Sequence, residues 1–390
     1  MTIKLVVFKV LTFSILIVIL ILLSLMYLTG YDIKIAVLNV NKIGHLAINT
    51  EIALREFYRS KNSKKKLILF APLSSHADVS NEQLIKMYSR HKNIHISRFA
   101  YALISVWQKY LIKTPFFFKT TVRGDEFELF DSVDTTISFS SSEIYKGKSL
   151  LSQLKINNKY VCIFMRDSNY WEVNEGRNQS FRSCRDGDID TMISTVQYLI
   201  KNGYYVVRVG SLASKKMSFE HRMFIDYSFT EYVSDFNDIY LIANCNFMIS
   251  SQSGIADIAT IFDVPKISIN CVPFLQASFG KKCMFIPKRI ICDRGNTPFF
   301  DDRLKNVILN MECSKAYSLG CEYIDNTEDE ILSAVVDFTR YIDNGYVIDT
   351  DYACEMKRYH KKYLKGTRLD GLKTPLCPSW FEANRKLYGL

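Results

Sequence analysis

The chain of 390 residues contains no G-x-x-x-x-G-K-[ST] loop, no G-x-S-x-G and no G-x-G-x-x-G. Those absences count against a P-loop ATPase, an α/β-hydrolase and a dinucleotide-dependent oxidoreductase. There is no C-x-x-C pair, and none of the ten cysteines (Cys162, Cys184, Cys245, Cys271, Cys283, Cys292, Cys313, Cys321, Cys354, Cys377) has a histidine at ligand spacing, so a structural zinc site is not expected. Such scatter in a large chain reads as reduced, partly buried thiols rather than a disulfide framework, which favours a cytosolic body. The interleaved aromatic and basic patterning of a nucleic-acid reader is missing, as are finger and helix-turn-helix signatures. The formal net charge of +10 therefore points to a membrane surface or a phosphorylated substrate. No internal repeat or low-complexity tract interrupts the chain. A hydrophobic content of 48% with 23% charged residues fits folded domains, and the length allows two of them plus an appendage.

What is present begins with an uncharged apolar run over 10–28, preceded by Lys4 and Lys9. It is long enough to cross a bilayer as one helix, and it lacks the small-residue cleavage site of a signal peptide, so a retained single-pass transmembrane helix over 1–30 is expected. Lys34, Lys42 and the Lys64-Lys65-Lys66 cluster balance the basic residues before it, so charge alone does not set orientation.

The rest alternates strand and helix. Strands are expected at 33–40, 67–71 and 94–96, with helices at 47–58, 81–90 and 101–112 between and after them. Residues 114–142 are weakly patterned and aromatic-rich. A second winding starts with a strand at 160–165. Ile189, Met192, Ile193, Val196 and Ile200 then keep a helical stripe closed by Asn202-Gly203, and a strand follows at 204–209. Residues 246–270, NFMISSQSGIADIATIFDVPKISIN, read as strand, small polar turn, helix, Pro265 and strand. A later helix is expected at 329–342. Strands alternating with helices imply parallel sheets, hence an α/β chain of two Rossmann-like domains after the transmembrane helix. The expected division is an anchor at 1–30, an acceptor domain at 31–150, a donor-binding domain at 151–345 and a tail at 346–390 packing back on the body.

Candidate chemistry sits at strand ends. Arg166 and Arg208 end strands of the second domain, and Arg182 and Arg185 lie in a loop between them. Several guanidinium groups around one crevice would repel one another unless an anion sat among them, and Arg suits bidentate phosphate recognition. Ser251, Ser253 and Gly254 form the small polar turn, where free N–H groups of the following helix could face a phosphate. Each feature also has a plain structural reading, as a surface ion pair or a helix cap. In the first domain, His45 in the turn after the first strand could take a proton from an acceptor hydroxyl, or could merely hydrogen-bond its turn. The D-x-D patterns Asp186-Gly187-Asp188-Ile189-Asp190 and Asp349-Thr350-Asp351 could hold a divalent ion, but Asp188 and Asp190 open the striped helix, where acidic residues serve as caps, and Asp349-Thr350-Asp351 follows the late helix in a polar turn, so no metal or other cofactor is expected.

Several segments carry a resemblance. Lys42-Ile43-Gly44-His45-Leu46-Ala47, the Arg166-Asp167 strand end, Cys184-Arg185-Asp186-Gly187-Asp188-Ile189, GYYVVRVG at 203–210, Ile225-Asp226-Tyr227, SDFNDIYL at 234–241 and Ser253-Gly254-Ile255 together resemble a bacterial family of GT-B-type glycosyltransferases linked to surface polysaccharide synthesis. The Arg-ended strand also resembles the donor-phosphate strand of fucosyltransferase-like GT-B enzymes. This chain has Phe164-Met165-Arg166-Asp167 where those carry a His and paired arginines, which counts against a GDP-fucose donor.

The resemblance implies transfer of a sugar from a nucleotide-sugar donor to a glycan or lipid-linked glycan. Arg166, Arg185, Arg208, Ser251, Ser253 and Gly254 would hold the donor, and His45 would be the base. Because bacterial nucleotide sugars are cytosolic, the body is expected on the cytoplasmic face of the inner membrane. Two alternatives stand beside this one. The first is a lumenal, type II-anchored transferase with a glycosylation sequon at Asn178-Gln179-Ser180 and paired cysteines. The second is a non-catalytic anchored module that binds a nucleotide or phosphoglycan.

Overall fold

The computed structural model describes residues 3–72, 79–119, 127–167, 184–211, 213–272, 282–292, 313–363 and 374–386. Arg182 and the Asn178 sequon lie outside them. The chain divides into two compact units, Met1–Val122 with Ser132–Phe139, and Arg123–Asp131 with Ser140–Leu390.

In the first unit, α1 (Ile3–Leu28) leads into β1 (Asp32–Val37), a π-helical turn at His45–Asn49 and α2 (Thr50–Arg59). β2 (Lys65–Ala71), α3 (Glu82–Tyr88), β3 (Ile94–Ile96) and α4 (Arg98–Leu111) complete it. The three strands form a parallel sheet in the order β1-β2-β3. Alternate residues of β2 are buried and β1 ends fully buried over Ile35, Ala36 and Val37, while Asn81 and Ser97 cap α3 and α4 by accepting the N–H groups of Leu84 and Ala100. The return of residues 132–139 has an electrostatic cause. Glu51 and Arg55, one turn apart on α2, form a fully buried ion pair at 3.0 Å. Arg55 also donates to the Val133 carbonyl at 2.6 Å, and Glu51 accepts from the Thr136 N–H at 2.7 Å and its hydroxyl at 2.8 Å. A buried pair is tolerable only when its remaining donors and acceptors are matched, and the segment carrying Val133 and Thr136 matches them.

α5 (Phe127–Ser132) lies at the boundary in sequence, and α6 (Ser141–Gln153) opens the larger part of the second unit. Ser140 and Glu143 close a capping box on α6, so the weakly patterned stretch before it ends in a well-defined helix start. β4 (Tyr160–Phe164), a 3-10 turn at Ile189–Met192, α7 (Ile193–Lys201), β5 (Tyr205–Arg208), β6 (Phe224–Ile225), α8 (Asp235–Asn244), β7 (Phe247–Ser250), α9 (Ala256–Ile261), β8 (Lys266–Cys271) and β9 (Cys283–Pro287) follow. Their strands pair in parallel in the order β6-β5-β4-β7-β8-β9. This is a doubly wound sheet whose winding reverses between β4 and β7.

β10 (Arg289–Cys292) and, after α10 (Cys313–Ser318), β11 (Cys321–Ile324) form a separate antiparallel pair. α11 (Glu328–Asp343), α12 (Thr350–Tyr363) and α13 (Pro378–Asn384) end the described chain. Val161, Ile163, Ile249, Ile267, Phe338, Tyr359, Trp380 and Phe381 belong to one buried cluster, so α12 and α13 contribute to the core of this unit.

The strands and helices expected from periodicity recur within a few residues, and the parallel α/β character holds. The reduced-thiol expectation does not. Cys292 and Cys321 form a disulfide, and Cys184 is also disulfide-bonded, while Cys162, Cys245, Cys271, Cys283, Cys354 and Cys377 are free. Cys292 and Cys321 are 29 residues apart, and the antiparallel register of β10 with β11 makes them direct neighbours. Sequence spacing alone carried no sign of that register.

α6 meets α8 without space to spare. A Cβ built on Gly147 would lie 2.0 Å from the Tyr240 ring. Gly147→Ala is expected to destabilise the second unit by about 1–3 kcal/mol, because backbone and ring must both shift. Urea unfolding with an unchanged m-value would show it, and an unaltered midpoint would mean the helices slide apart freely.

Candidate functional site

Parallel pairing brings the carboxyl ends of three strands side by side. Ile163 is in register with Arg208 and Phe164 with Ser250. Arg208 closes β5, Arg166 follows β4 by two residues, and Ser250 closes β7. The point of reversal between β4 and β7 is where doubly wound sheets bind ligands, because the loops there diverge and leave a crevice. Ser251 ties the two strand ends together. Its N–H donates to the Phe164 carbonyl at 3.0 Å, and its Oγ accepts the Arg166 N–H at 2.7 Å. The neighbouring Ser250 hydroxyl is fully buried with no hydrogen-bond partner among the described residues.

The arginines converge, but carboxylates stand between them. Arg166 Nε lies 3.3 Å from Asp186 Oδ1. Arg208 Nη1 donates to the Lys215 carbonyl at 2.7 Å and to Asp226 Oδ2 at 3.2 Å. Arg185 Nη2 reaches the Gln252 carbonyl at 3.4 Å. The expectation that only a bound anion could hold the guanidinium groups together is thus corrected, since Asp186 and Asp226 already offset two of them.

A cavity of about 390 Å³ opens at these strand ends, lined by Met165, Asp167, Asp186, Gly187, Asp188, Ile189, Arg208, Ser214, Lys215 and Asp325. Of the six residues expected to hold a donor, Arg208 alone is in that lining. The walls are shaped by close packing and paired charge. Gly187 admits no side chain, as a Cβ there would lie 2.7 Å from Met165 Sδ. The buried Lys288 donates to the Asp186 carbonyl at 2.7 Å and forms an ion pair with Asp325. Ser214 donates through N–H and hydroxyl to Asp167, at 2.7 and 2.9 Å. Lys215 bridges Asp188 and Asp190, at 2.7 and 3.0 Å. Lys215, Lys288 and Asp325 carried no motif in the sequence. They reach the site from loops and from β9's end, which only the fold brings there.

Burial pushes the Asp186 carboxyl up to about 6, against the opposing pull of Arg166 and Lys288 and with the help of Asp167's charge. At neutral pH it is mostly ionised and competes with any anion for Arg166.

The Ser-Gly turn is more self-contained than expected. Ser253 Oγ accepts the Ile255 N–H at 3.2 Å, and the N–H groups of Ala256 and Asp257 donate to the Ser253 and Gly254 carbonyls at 3.1 and 3.3 Å. α9 spans six residues. The free first-turn donors anticipated for a phosphate are engaged locally, so the turn's contribution is to place Ser251 and to leave room beside it.

His45 begins the π-helical turn after β1, in the first unit. Its Nδ1 lies 3.4 Å from Asn49 Nδ2, and partial burial together with Lys42's charge holds its pKa below the usual histidine value. A neutral imidazole at pH 7 is what a general base requires. The D-x-D residues act in caps. Asp188 Oδ1 accepts the Asp190 N–H at 3.0 Å, and Asp349 Oδ1 accepts the N–H groups of Asp351 and Tyr352 at 2.9 and 3.2 Å.

No protein-family profile and no curated protein matches the chain. Several solved structures align with it. A glycosyl transferase of family 9 from Veillonella parvula shares 10% identity over 66% of this chain and 86% of its own, with a TM-score of 0.41. ADP-heptose LPS heptosyltransferase II of E. coli shares 13% over 74% of this chain and 98% of its own, with a TM-score of 0.38. TibC, an iron-containing dodecameric glycosyltransferase of enterotoxigenic E. coli, shares 13% over 80% of this chain and 81% of its own, with a TM-score of 0.41. At such identities, and with TM-scores below 0.5, the likeness carries no argument about this chain's activity or substrate.

Protonation of Asp186 should govern anion binding at this edge. An anion that takes Arg166 raises the Asp186 pKa further, so binding takes up a proton and strengthens as pH falls toward about 6, levelling off below it. Were the bound anion a nucleotide-sugar diphosphate, whose phosphates stay singly ionised throughout, its affinity would be up to about tenfold higher at pH 5.5 than at 7.5. Asp186→Asn should flatten that profile in calorimetric titrations. A wild-type profile already flat would separate Asp186 from the binding site.

Proposed function

We propose that this chain is a glycosyltransferase that moves a sugar from a nucleotide-sugar donor to a glycan or lipid-linked acceptor in surface-polysaccharide synthesis, with a GT-B division of labour between its units. The observation that carries the reading is the crevice at the β4–β7 reversal, with Arg166 and Arg208 at adjacent strand ends and Arg185 at the neighbouring turn. The sequence resemblance over 42–255 supports it. In this reading the second unit grips the diphosphate, Arg166 and Arg208 exchanging their carboxylate partners for phosphate oxygens, and Ser251, Ser253 and Gly254 shape the turn beside it. Leaving-group stabilisation by these fixed cations is the main catalytic contribution. The first unit holds the acceptor, and His45 removes the proton from the attacking hydroxyl as the new glycosidic bond forms and the nucleotide diphosphate departs.

Metal independence belongs to the same proposal. Lys215 and cap hydrogen bonds occupy Asp188 and Asp190, and arginines are available to offset the diphosphate. Activity is accordingly expected to survive EDTA.

A panel of nucleotide sugars, scored for thermal stabilisation and for hydrolysis or transfer, tests the whole reading. Binding with turnover supports it. Binding without turnover for every donor and acceptor would indicate a non-catalytic module, and no stabilisation by any nucleotide would remove the donor site. Because Arg166 and Arg208 are buried and paired, charge-conserving variants are the informative ones. Arg166→Lys and Arg208→Lys should each weaken donor binding by about 1–2 kcal/mol through loss of the guanidinium fork. His45→Ala should leave donor affinity near wild type while turnover falls roughly 10²–10⁴-fold.

One observation favours the alternative topology, in which the body faces an oxidising compartment rather than the cytoplasm. Cys292 and Cys321 are bonded, as is Cys184, and disulfides persist chiefly outside the reducing cytosol. Alkylation of denatured, unreduced protein from its native membrane decides this. Cys292 and Cys321 resisting alkylation until reductant is added would place the body in the oxidising compartment, and ready alkylation would place it in the cytoplasm.

A further inference from the structure

A helix that merely tethers a domain leaves that domain at the end of the span, and α1 does not do this. Its apolar segment Lys9–Leu28 is long enough to cross a bilayer, yet one face of it packs along the first unit. Thr12, Leu16 and Leu23 are buried on that face. Trp107 of α4 donates its indole N–H to Thr12 Oγ1 at 3.1 Å, and its ring lies 5.2 Å from that of Phe13. At the other end of α1 the Tyr27 ring meets Phe116 at 6.2 Å. From Thr12 to Tyr27 the helix rises about 22 Å, so it touches the unit over most of a bilayer's hydrocarbon thickness.

The surface beside it is apolar as well. Phe99, Val106 and Tyr110 are exposed on α4 at spacings of seven and four, which places them on one face. The Tyr110 ring lies tilted beside that of Trp107 with centroids 5.7 Å apart, so Phe13, Trp107 and Tyr110 make a continuous aromatic row from one helix to the other. Basic groups edge this surface. Lys9 is exposed at the start of the apolar segment, the Lys64 ammonium lies 5.9 Å over the Tyr31 ring just beyond its end, and the Lys109 ammonium lies 4.8 Å over Tyr110. Aromatic rings with lysines beside an apolar face match the boundary between acyl chains and anionic headgroups. If α1 crossed the bilayer with these contacts kept, Trp107, with Gln108 and Lys109 beside it, would be drawn to the level of Thr12, inside the apolar segment rather than beyond its end.

Building on the reading of α1 as the membrane anchor, we propose that the first unit is monotopic: α1 and the Phe99–Val106–Tyr110 face of α4 sink together into one leaflet of an anionic bilayer, and α1 does not cross it. Both ends of α1 then lie on the same side of the membrane. A transferase seated this way would meet a lipid-linked acceptor at headgroup level.

The test uses the full chain in sealed phosphatidylcholine/phosphatidylglycerol proteoliposomes, with protease-removable tags at both termini and the photo-crosslinker p-benzoylphenylalanine at Val18, Val106 or Tyr110. External protease should remove both tags from the same vesicles, and lipid adducts should form at Val106 or Tyr110 as well as at Val18. An N-terminal tag protected while the C-terminal tag is cleaved would show that α1 crosses and would overturn the proposal. Lipid adducts at Val18 with none at Val106 or Tyr110 would overturn the shared surface. A chain that stays in the aqueous phase without vesicles would overturn the anchor reading itself, a different failure from either of these.

Discussion

The pairing of β4 with β7 is the constraint on which the second unit depends. These strands are 86 residues apart at Val161 and Phe247, yet they lie side by side at the centre of a six-stranded parallel sheet. Ser251 locks the junction by bonding both the Phe164 carbonyl and the Arg166 N–H. Everything at the carboxyl edge follows. Arg166 is presented next to Arg208, the loops on either side diverge, and the cavity opens where they part. Parallel strands require crossover connections, and those connections put loops from distant parts of the chain over one edge.

Charge at that edge is arranged as a set of exchangeable pairs. Asp186 faces Arg166, Asp226 faces Arg208, and Asp325 faces Lys288. Arg166, Arg208 and Lys288 are the buried members, so removing the carboxylate that faces one of them leaves a buried cation short of its partner. The same arrangement suits a site that must accept and release a dianionic group. Partial desolvation has already weakened Asp186's hold on its charge, so a phosphate bound there would compete with a carboxylate close to protonation rather than with a firmly ionised one.

Much of the fold was legible in the sequence. Alternating apolar runs marked β1 to β5, β7 and β8, and the stripe from Ile189 to Ile200 marked the helix between β4 and β5. Asn202-Gly203 marked its end, with Gly203 at a φ of +80°. β6, β9 to β11, α6, α8, α12 and α13 were not anticipated, because the strands are short and the helices lack a clear apolar stripe. The candidate site divided similarly. Arg166, Arg208 and Ser251 stood out because strand ends are predictable from strands. Lys215, Lys288 and Asp325 did not, since each comes from a segment with no motif. The turn at Ser253-Gly254 was legible as a turn but not as one whose donors are consumed locally.

By itself the sequence determined the α/β class, the apolar N-terminal segment and the residues that end the central strands, because these depend on periodicity and composition within a few residues. Tertiary structure decided which of those ends meet, which cations are already paired, that Cys292 faces Cys321, and that α1 packs along α4. The physical reason is common to all four. Strand order, antiparallel register and helix docking are set by burial between segments far apart in the chain, and a local pattern fixes which face an element buries without fixing its partner.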